Sequence, residues 1–166
     1  MNRDFISQAN SPIHGTGVFA NQRIPKGTRI VEYEGLRLTV ADYVASQRCL
    51  QAPMIYAISI DADQVIDGNV NGNQARFINH SCEPNCQALS FLAGHIHIYA
   101  LQDITAGTEL TFDYSLGCVE PQGDNSIDNS APTPFPMQLQ CRCGAIRCRG
   151  TMLALESLHQ LKPLED

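Results

Sequence analysis

The eleven residues from Arg76 to Cys86 constrain this 166-residue chain more than any other stretch. They combine two cysteines, a histidine, two asparagines and a proline directly behind the apolar pair Phe77-Ile78. A surface turn uses asparagine and proline to bend the backbone, but it has no need for His80 or Cys82. In a buried turn every polar group needs a partner, because an unpaired buried amide or imidazole costs about 1–3 kcal/mol. We therefore expect a metal site, a ligand site or both here, with a purely structural turn as the alternative.

Composition places the chain among globular proteins, since 43% of its residues are hydrophobic and only 17% are charged. No apolar run approaches the roughly 20 residues that span a bilayer, and the N-terminus has no apolar signal core. We expect a cytoplasmic protein without a membrane anchor, or a secreted or nuclear-acting effector if the organism is host-associated. The net charge of −6 disfavours direct nucleic-acid binding and suits a basic partner.

Short segments of β-branched and aromatic residues, separated by glycine, proline and aspartate turns, predict a mainly β fold with few short helices. One helix is expected over Thr39–Gln51, with Thr39 as N-cap and an apolar face, and a second over Thr151–Leu161. The predicted strands are Arg29–Gly35, Met54–Asp61, Gln64–Asp67, Gln87–Leu92, His95–Leu101 and Glu109–Tyr114.

Alternation along the strand at 95–101 places His95, His97 and Tyr99 on one face and two isoleucines on the other. We interpret both histidines as solvated strand residues and not as metal ligands.

A glycine turn, Gly15-Thr16-Gly17, opens into another short strand near the N-terminus. Two glycines this close let the backbone approach a ligand and present bare N–H groups, although a plain hairpin turn has the same pattern. The turn lacks the third glycine and the following helix of a dinucleotide-binding fingerprint.

Three of the seven cysteines, Cys141, Cys143 and Cys148, lie within eight residues after a polar stretch rich in Asn, Ser and Pro. Closely spaced thiols without a secretion signal indicate zinc, which takes four thiolate or imidazole ligands in a tetrahedron. The fourth ligand has to come from elsewhere, and the central motif offers Cys82, Cys86 and His80. Of these we favour Cys82. One ion would then tie the C-terminal segment to the central motif, whereas reduced surface thiols are the alternative.

The Arg76–Cys86 stretch, the Glu109–Tyr114 segment and the Cys-x-Cys-x4-Cys tail together resemble SET-domain protein-lysine methyltransferases with a post-SET zinc segment. The resemblance implies a fold of small curved sheets with a pseudoknot, in which the segment ending at Tyr114 passes under a loop. It divides the chain into a SET domain at 1–118, a linker at 119–139, a post-SET segment at 140–152 and a tail at 153–166. The chain differs from many members of this family in two ways. Its first 48 residues contain no cysteine, and its linker is long.

The resemblance also implies roles for individual residues. Tyr114 matches the catalytic tyrosine, and Tyr33 matches a second tyrosine lining the lysine channel. Phe112 stands where a phenylalanine, in place of tyrosine, leaves room for di- or trimethylation. Cys82 matches the fourth zinc ligand, in agreement with the coordination argument. The positions matching the binding site for S-adenosylmethionine are His14, Gly15, Thr16, Gly17, Tyr56, Asn79 and His80.

The resulting hypothesis is an S-adenosylmethionine-dependent lysine methyltransferase that acts on a basic, histone-like protein. Two other classes remain open. One is a peptide-binding module that keeps the fold and zinc but has lost turnover. The other is a thiol enzyme that uses Cys82 with His80, which would leave the three tail cysteines without a role.

Overall fold

The computed structural model describes residues 5–46, 56–91, 94–116 and 139–154. The chain is mainly β, as predicted, with ten strands and one α-helix, α1, among the described residues. The strands are β1 (Ile6–Asn10), β2 (Thr16–Ala20), β3 (Arg29–Glu32), β4 (Leu36–Thr39), β5 (Ala57–Ser59), β6 (Gln64–Asp67), β7 (Asn79–His80), β8 (Cys86–Phe91), β9 (His95–Ala100) and β10 (Thr111–Phe112). No helix among these residues is long and apolar enough to cross a membrane.

The strands form four small sheets instead of one large one. β1 pairs with β2, β9 lies between β3 and β8, and β6 lies between β4 and β5, all antiparallel. β7 and β10 pair in parallel, with Thr111 opposite Asn79 and Phe112 opposite His80. This pairing places the segment before Tyr114 alongside the central motif, as the predicted pseudoknot requires.

Asn85 fastens that crossing with its side chain. Its Nδ2 donates to the carbonyl of Glu109 over 2.7 Å, and its Oδ1 accepts the main-chain N–H of Thr111 over 2.9 Å. The two strands of the crossing are only two residues long, so their ladder offers few hydrogen bonds. A buried amide bonded in this way also satisfies main-chain groups that would otherwise be costly to bury.

The core fills the space between these sheets with β-branched side chains, which suit pleated strands. Burying each isoleucine or leucine contributes about 1.5–3 kcal/mol. The fully buried large aliphatic residues are Val18, Ile24, Ile66, Ile78, Ile96, Ile98, Ile104 and Leu110. Ile78 and Leu110 are direct neighbours in sequence of Asn79 and Glu109, so the core holds both polar residues in place.

The helix differs from its prediction. Thr39 is the N-cap, as expected, and its side chain accepts the N–H of Asp42, but α1 covers only Val40–Ala45. None of its residues is buried, so the expected apolar face does not form against the core. Residues 47–51 lie outside the described part of the chain, as do the start of the predicted strand at Met54, nearly all of the linker, and residues 155–161 of the second predicted helix.

The prediction that both histidines of β9 are solvated is wrong for His97. His95 is exposed, whereas only 8% of His97 is accessible. β9 is the central strand of its sheet, so His97 has Glu32 of β3 on one side and Leu89 of β8 on the other. The Phe91 ring also lies 5.4 Å from its imidazole. Strand alternation correctly placed His97 on the face opposite Ile96 and Ile98, but the neighbouring strands bury its side chain.

Candidate functional site

Asn79 is the buried centre of the site, with 4% of its surface accessible. Its side-chain nitrogen joins the central motif to the turn that precedes β2. An amide nitrogen has two hydrogens, but here it faces four oxygens, so the surroundings contain more acceptors than donors. The four are Ser11 Oγ at 3.0 Å, the carbonyls of His14 at 3.1 Å and Thr16 at 3.2 Å, and Glu109 Oε1 at 2.8 Å.

Glu109 contributes the negative charge of this acceptor cluster. Its Oε1 also accepts the hydroxyl hydrogen of Ser11 over 2.7 Å, while its buried Oε2 has no hydrogen-bond partner among the described residues. Gly17 makes the close approach possible, because a Cβ there would lie 2.3 Å from Oε1. The oxygens of this cluster therefore outnumber the hydrogens that the protein supplies to them, which favours a neighbouring hydrogen-donating group.

Ser11 shapes the turn on which this cluster is built. Its Oγ accepts the main-chain N–H groups of Ile13 and His14 over 2.9 and 3.2 Å, and Gly15 adopts a φ of +49° at the tip. The turn therefore directs the His14 and Thr16 carbonyls inward. The sequence predicted a ligand turn at 14–17 but missed Ser11 and Glu109, which lie 98 residues apart and have no local signal.

His80 is engaged by the protein at both ring nitrogens. Its Nδ1 accepts the main-chain N–H of Tyr114 over 3.0 Å, and its Nε2 lies 3.4 Å from Cys82 Sγ. Burial lowers its pKa to about 4, against the opposing charge of Asp113. A neutral imidazole that accepts at Nδ1 carries its proton on Nε2, which therefore donates toward the sulfur.

This tautomer argues against the thiol-enzyme hypothesis. Cys82 and His80 do share a face, but an Nε2 that already bears a proton cannot take one from the Cys82 thiol. A nucleophilic cysteine needs the opposite arrangement, in which the imidazole accepts the proton. Cys82 also lies among three other cysteine sulfurs, an arrangement typical of a metal site and not of a nucleophilic cysteine.

The structure brings four cysteine sulfurs together, all within 4.8 Å of one another. Three main-chain N–H groups point at sulfurs over 3.4 Å, from Cys143 to Cys141, from Arg149 to Cys82 and from Gly150 to Cys148. Burial raises the pKa of Cys82 and Cys141, so that without a cation their thiolates would be unfavourable. Four sulfurs at this spacing fit one tetrahedral soft ion. Cys86, the other candidate from the central motif, is fully buried, and burial raises its pKa to about 12.

Two tyrosines, Tyr33 and Tyr114, line a cleft of about 310 Å³. The Tyr114 hydroxyl donates to the carbonyl of Ile78 over 2.8 Å, and the Tyr33 hydroxyl donates to the carbonyl of Tyr56 over 2.7 Å. Burial raises the pKa of both tyrosines, so both stay protonated. Each hydroxyl has used its only hydrogen and offers lone pairs to a ligand in the cleft.

The rest of the cleft is narrow and mixed in polarity. Phe112 is 8% accessible and its ring centroid lies 5.0 Å from that of Tyr114. The guanidinium of Arg76 lies over the Phe77 ring at 4.6 Å and donates to the carbonyl of Gly68 over 2.9 Å. The remaining lining residues are Ala57, Ile58, Ser59, Ile78, Ala88, Ser90, Ile96, Asp113, Ser115 and Leu116.

Tyr56, predicted at the cofactor, contacts Tyr33 through its carbonyl, and its ring meets the edge of the Phe77 ring at 5.6 Å. Arg76 and Asp113 were not predicted as functional residues. Arg76 opens the central motif and Asp113 lies between Phe112 and Tyr114, but only the tertiary structure shows that both line the cleft.

Comparison with known proteins agrees with this geometry. The SET domain family model matches residues 15–115. Histone-lysine N-methyltransferase trithorax of Drosophila virilis is 36% identical over 152 residues, which is 89% of this chain and 4% of that protein. Human histone-lysine N-methyltransferase 2B is 36% identical over 89% of this chain and 5% of its own length. The mouse histone-lysine N-methyltransferase, H3 lysine-36 specific, is 34% identical over 82% of this chain and 5% of its own length.

The chain belongs to the SET domain family, as the resemblance predicted. It spans only about a twentieth of the length of these relatives. Three of the four clustered cysteines, Cys141, Cys143 and Cys148, lie after the matched SET region and correspond in position to a post-SET segment, whereas Cys82 lies within that region.

Proposed function

We propose that this chain is an S-adenosylmethionine-dependent protein-lysine N-methyltransferase with a basic, histone-like protein as its substrate. The observation that carries the proposal is the pair of hydroxyls at the cleft. Tyr33 and Tyr114 both line the cleft, and each hydroxyl donates its hydrogen to a main-chain carbonyl, which leaves its lone pairs for a ligand. The lysine amine that receives the methyl group needs such hydrogen-bond acceptors, because they align the amine without removing a proton from it.

The difficulty of the reaction is the charge of the substrate lysine. In water its pKa is near 10.4, so only about one side chain in 2,500 is neutral at pH 7, a cost of roughly 4.6 kcal/mol. A narrow cleft lined by Phe112, Ile78 and Ile96 disfavours the charged form by desolvation. Because the tyrosines remain protonated, neither acts as a strong base, and the neutral amine has to come from the environment.

The residues around Asn79 would hold the cofactor. The carbonyls of His14 and Thr16 and the Glu109 carboxylate supply more acceptors than the Asn79 amide can satisfy, which fits the ammonium of an amino-acid group. When bound, S-adenosylmethionine supplies an electrophilic methyl group on a sulfonium. The His80 side chain serves the protein at both nitrogens, so any contact of His80 with the cofactor would come from its main chain.

We further propose zinc as the ion of the four-cysteine cluster. Zinc takes four thiolates in closed structural sites, and the N–H groups aimed at the sulfurs stabilise thiolate charge. The ion would hold residues 139–154 against the central motif, close to His80 and Tyr114.

The substrate class rests on charge and on the relatives. A chain with a net charge of −6 attracts a peptide rich in lysine and arginine more than it attracts nucleic acid. The relatives quoted above are named histone-lysine methyltransferases, which favours a histone or a similar basic protein. Phe112, with no hydroxyl beside Tyr114, supports di- or trimethylation.

The test is transfer of an isotopically labelled methyl group from S-adenosylmethionine to mixed core histones, followed by mass spectrometry. We expect methyl-lysine with the wild-type protein and a loss of at least about 100-fold with Tyr114→Phe. Tyr99→Phe is the matched control, because Tyr99 lies on β9 and does not line the cleft. Binding of a lysine peptide without turnover would instead establish the peptide-binding module.

A further inference from the structure

The C-terminal segment meets the cleft at one strip of chain, residues 113–116. The N–H of Leu116 donates to the carbonyl of Met152 over 3.0 Å, and its carbonyl accepts the N–H of Ala154 over 2.9 Å. Asp113 to Leu116 all line the cleft. The tail therefore forms part of the support for one wall of the cleft, in addition to carrying three cysteines.

Arg149 makes the strongest of these contacts. Its two terminal nitrogens donate to the two carboxylate oxygens of Asp113, both over 2.8 Å. The side chains of Arg149 and Asp113 are only 16% and 28% exposed. Such a bidentate, partly buried pair is stronger than a surface ion pair and fixes the orientation of both groups.

Asp113 is the carboxylate closest in sequence to Tyr114, and it stands in the wall of the cleft. Burial alone would raise its pKa, but the hydrogen bonds from Arg149 and from the N–H of Ser115 outweigh burial and lower it. Asp113 is therefore negatively charged at neutral pH. A negative charge in that wall favours the ammonium form of a lysine in the cleft, which opposes methyl transfer.

We propose that Arg149 is a positioning residue that neutralises Asp113, so that a lysine bound in the cleft can lose its proton. This inference rests on the proposed methyltransferase function and adds a role for the tail. Arg149 acts through Asp113 and not by touching the substrate. The main-chain N–H of Arg149 also points at Cys82 Sγ over 3.4 Å, so the cysteine cluster sets where the guanidinium lies.

The other charged and titratable groups around the cleft do not replace this pairing. Arg76 is a second cation in the cleft lining, but its guanidinium lies over Phe77 and bonds Gly68. His80, whose Nδ1 lies 3.4 Å from Asp113, uses that nitrogen to accept the main-chain N–H of Tyr114 and so has no proton there to offer Asp113. The tyrosines Tyr33, Tyr56 and Tyr114 influence one another, Asp67 lies near Tyr33, and Glu109 lies near Tyr114.

The test compares kcat at saturating substrate across pH 6.5–10, because kcat reports ionisations in the enzyme–substrate complex. In Arg149→Gln the unpaired Asp113 should raise the amine pKa, so the alkaline rise of kcat should move up by about one pH unit. The loss should be about tenfold at pH 7.5 and should shrink to less than about threefold at pH 9.5. Arg149→Lys keeps the charge and should shift the profile less.

Two further variants separate charge from folding. Arg149→Gln combined with Asp113→Asn removes both charges, and its profile should return toward the wild-type midpoint. Arg147→Gln is the matched control from the same tail, because Arg147 pairs with Glu83 at an exposed position and should leave the profile unchanged. Zinc per chain and affinity for S-adenosylhomocysteine are measured for every variant, to show that the tail remains docked.

Each outcome decides the proposal. A loss in Arg149→Gln that is equal at every pH, or a double variant as impaired as Arg149→Gln, would show a purely structural contact and overturn it. If the wild-type protein forms no methyl-lysine at any pH, the proposed function itself fails. If the wild-type protein is active and the midpoint of Arg149→Gln does not move, only the role of Arg149 fails.

Discussion

The main-chain N–H of Tyr114 donates a hydrogen bond to Nδ1 of His80 across 3.0 Å. The hydroxyl of the same tyrosine donates to the carbonyl of Ile78, two residues before His80. Tyr114 is therefore fixed at both ends by the central motif, although it lies 34 residues from His80 in the chain. A tyrosine held in this way can present its hydroxyl oxygen to a ligand without changing rotamer, which is the preorganisation that a transferase site needs.

The cysteine cluster leads to a prediction that compares two cysteines of the central motif, Cys82 and Cys86. Cys82→Ser should reduce bound zinc from about one ion per chain to well below one half, because only three thiolates remain. It should also lower the melting temperature by about 5 °C or more, since metal binding stabilises the docked tail. Atomic absorption and calorimetry measure the two effects.

Cys86→Ala is the control for that substitution. Cys86 is fully buried but is not one of the four clustered residues, so its loss creates a small cavity and should leave the zinc content unchanged. Equal zinc loss in the two variants would contradict the assignment of Cys82.

Gly17 should be indispensable for cofactor binding. In Gly17→Ala the new Cβ would lie 2.3 Å from Glu109 Oε1 and 2.9 Å from Ser11 Cβ, so the acceptor cluster around Asn79 has to open. We expect affinity for S-adenosylhomocysteine to fall at least about tenfold, measured by isothermal titration calorimetry. Gly27→Ala is the control for general destabilisation, since Gly27 has open space around it but a φ of +79° that disfavours alanine; this variant should lose stability and keep its affinity for S-adenosylhomocysteine. Unchanged affinity in Gly17→Ala would show that the cofactor binds elsewhere.

Phe112 should control the number of methyl groups. Phe112→Tyr adds a hydroxyl next to Tyr114, where it can hold a water molecule that occupies the space of a further methyl group. We expect the main product to change to monomethyl-lysine, with the rate of the first transfer kept within about threefold. Mass spectrometry of the modified peptide gives the product ratio, and an unaltered ratio would remove Phe112 from this role.

His97 should make stability depend on pH. Burial lowers its pKa, with the charge of Arg29 acting in the same direction, so its folded-state pKa lies below the unfolded value of 6.5. The contribution of neutral His97 to the free energy of unfolding is therefore fully present above pH 6.5 and is lost as the pH falls toward the folded-state pKa. Between pH 7.5 and 5.5 we expect the wild-type free energy of unfolding to drop by up to about 1 kcal/mol more than that of His97→Gln.

Urea titrations at the two pH values check this expectation. His14→Gln is the control, because His14 is an exposed histidine on the turn before β2 and lies outside this sheet. A pH dependence of His97→Gln as steep as that of the wild-type protein would contradict the assignment.

Local sequence determined much of the architecture. Period-two segments between turn residues predicted seven of the ten strands to within a few residues but missed β1, β4 and β7. Thr39 was the expected N-cap, because capping depends on neighbouring residues. The resemblance to the SET family, carried by motifs at 76–86, 109–114 and 141–148, is confirmed by the family match. Counting ligands required a fourth from the central motif, for which we favoured Cys82, and the four sulfurs do lie together.

Only the tertiary structure decided which side chains meet across long stretches of chain. The burial of His97, the acceptor cluster formed by Ser11 and Glu109 around Asn79, and the pairing of Arg149 with Asp113 all join segments that no local pattern relates. The reason is physical. Strand period and turn propensity are set by a residue and its neighbours, whereas burial and charge pairing depend on what the folded chain brings alongside.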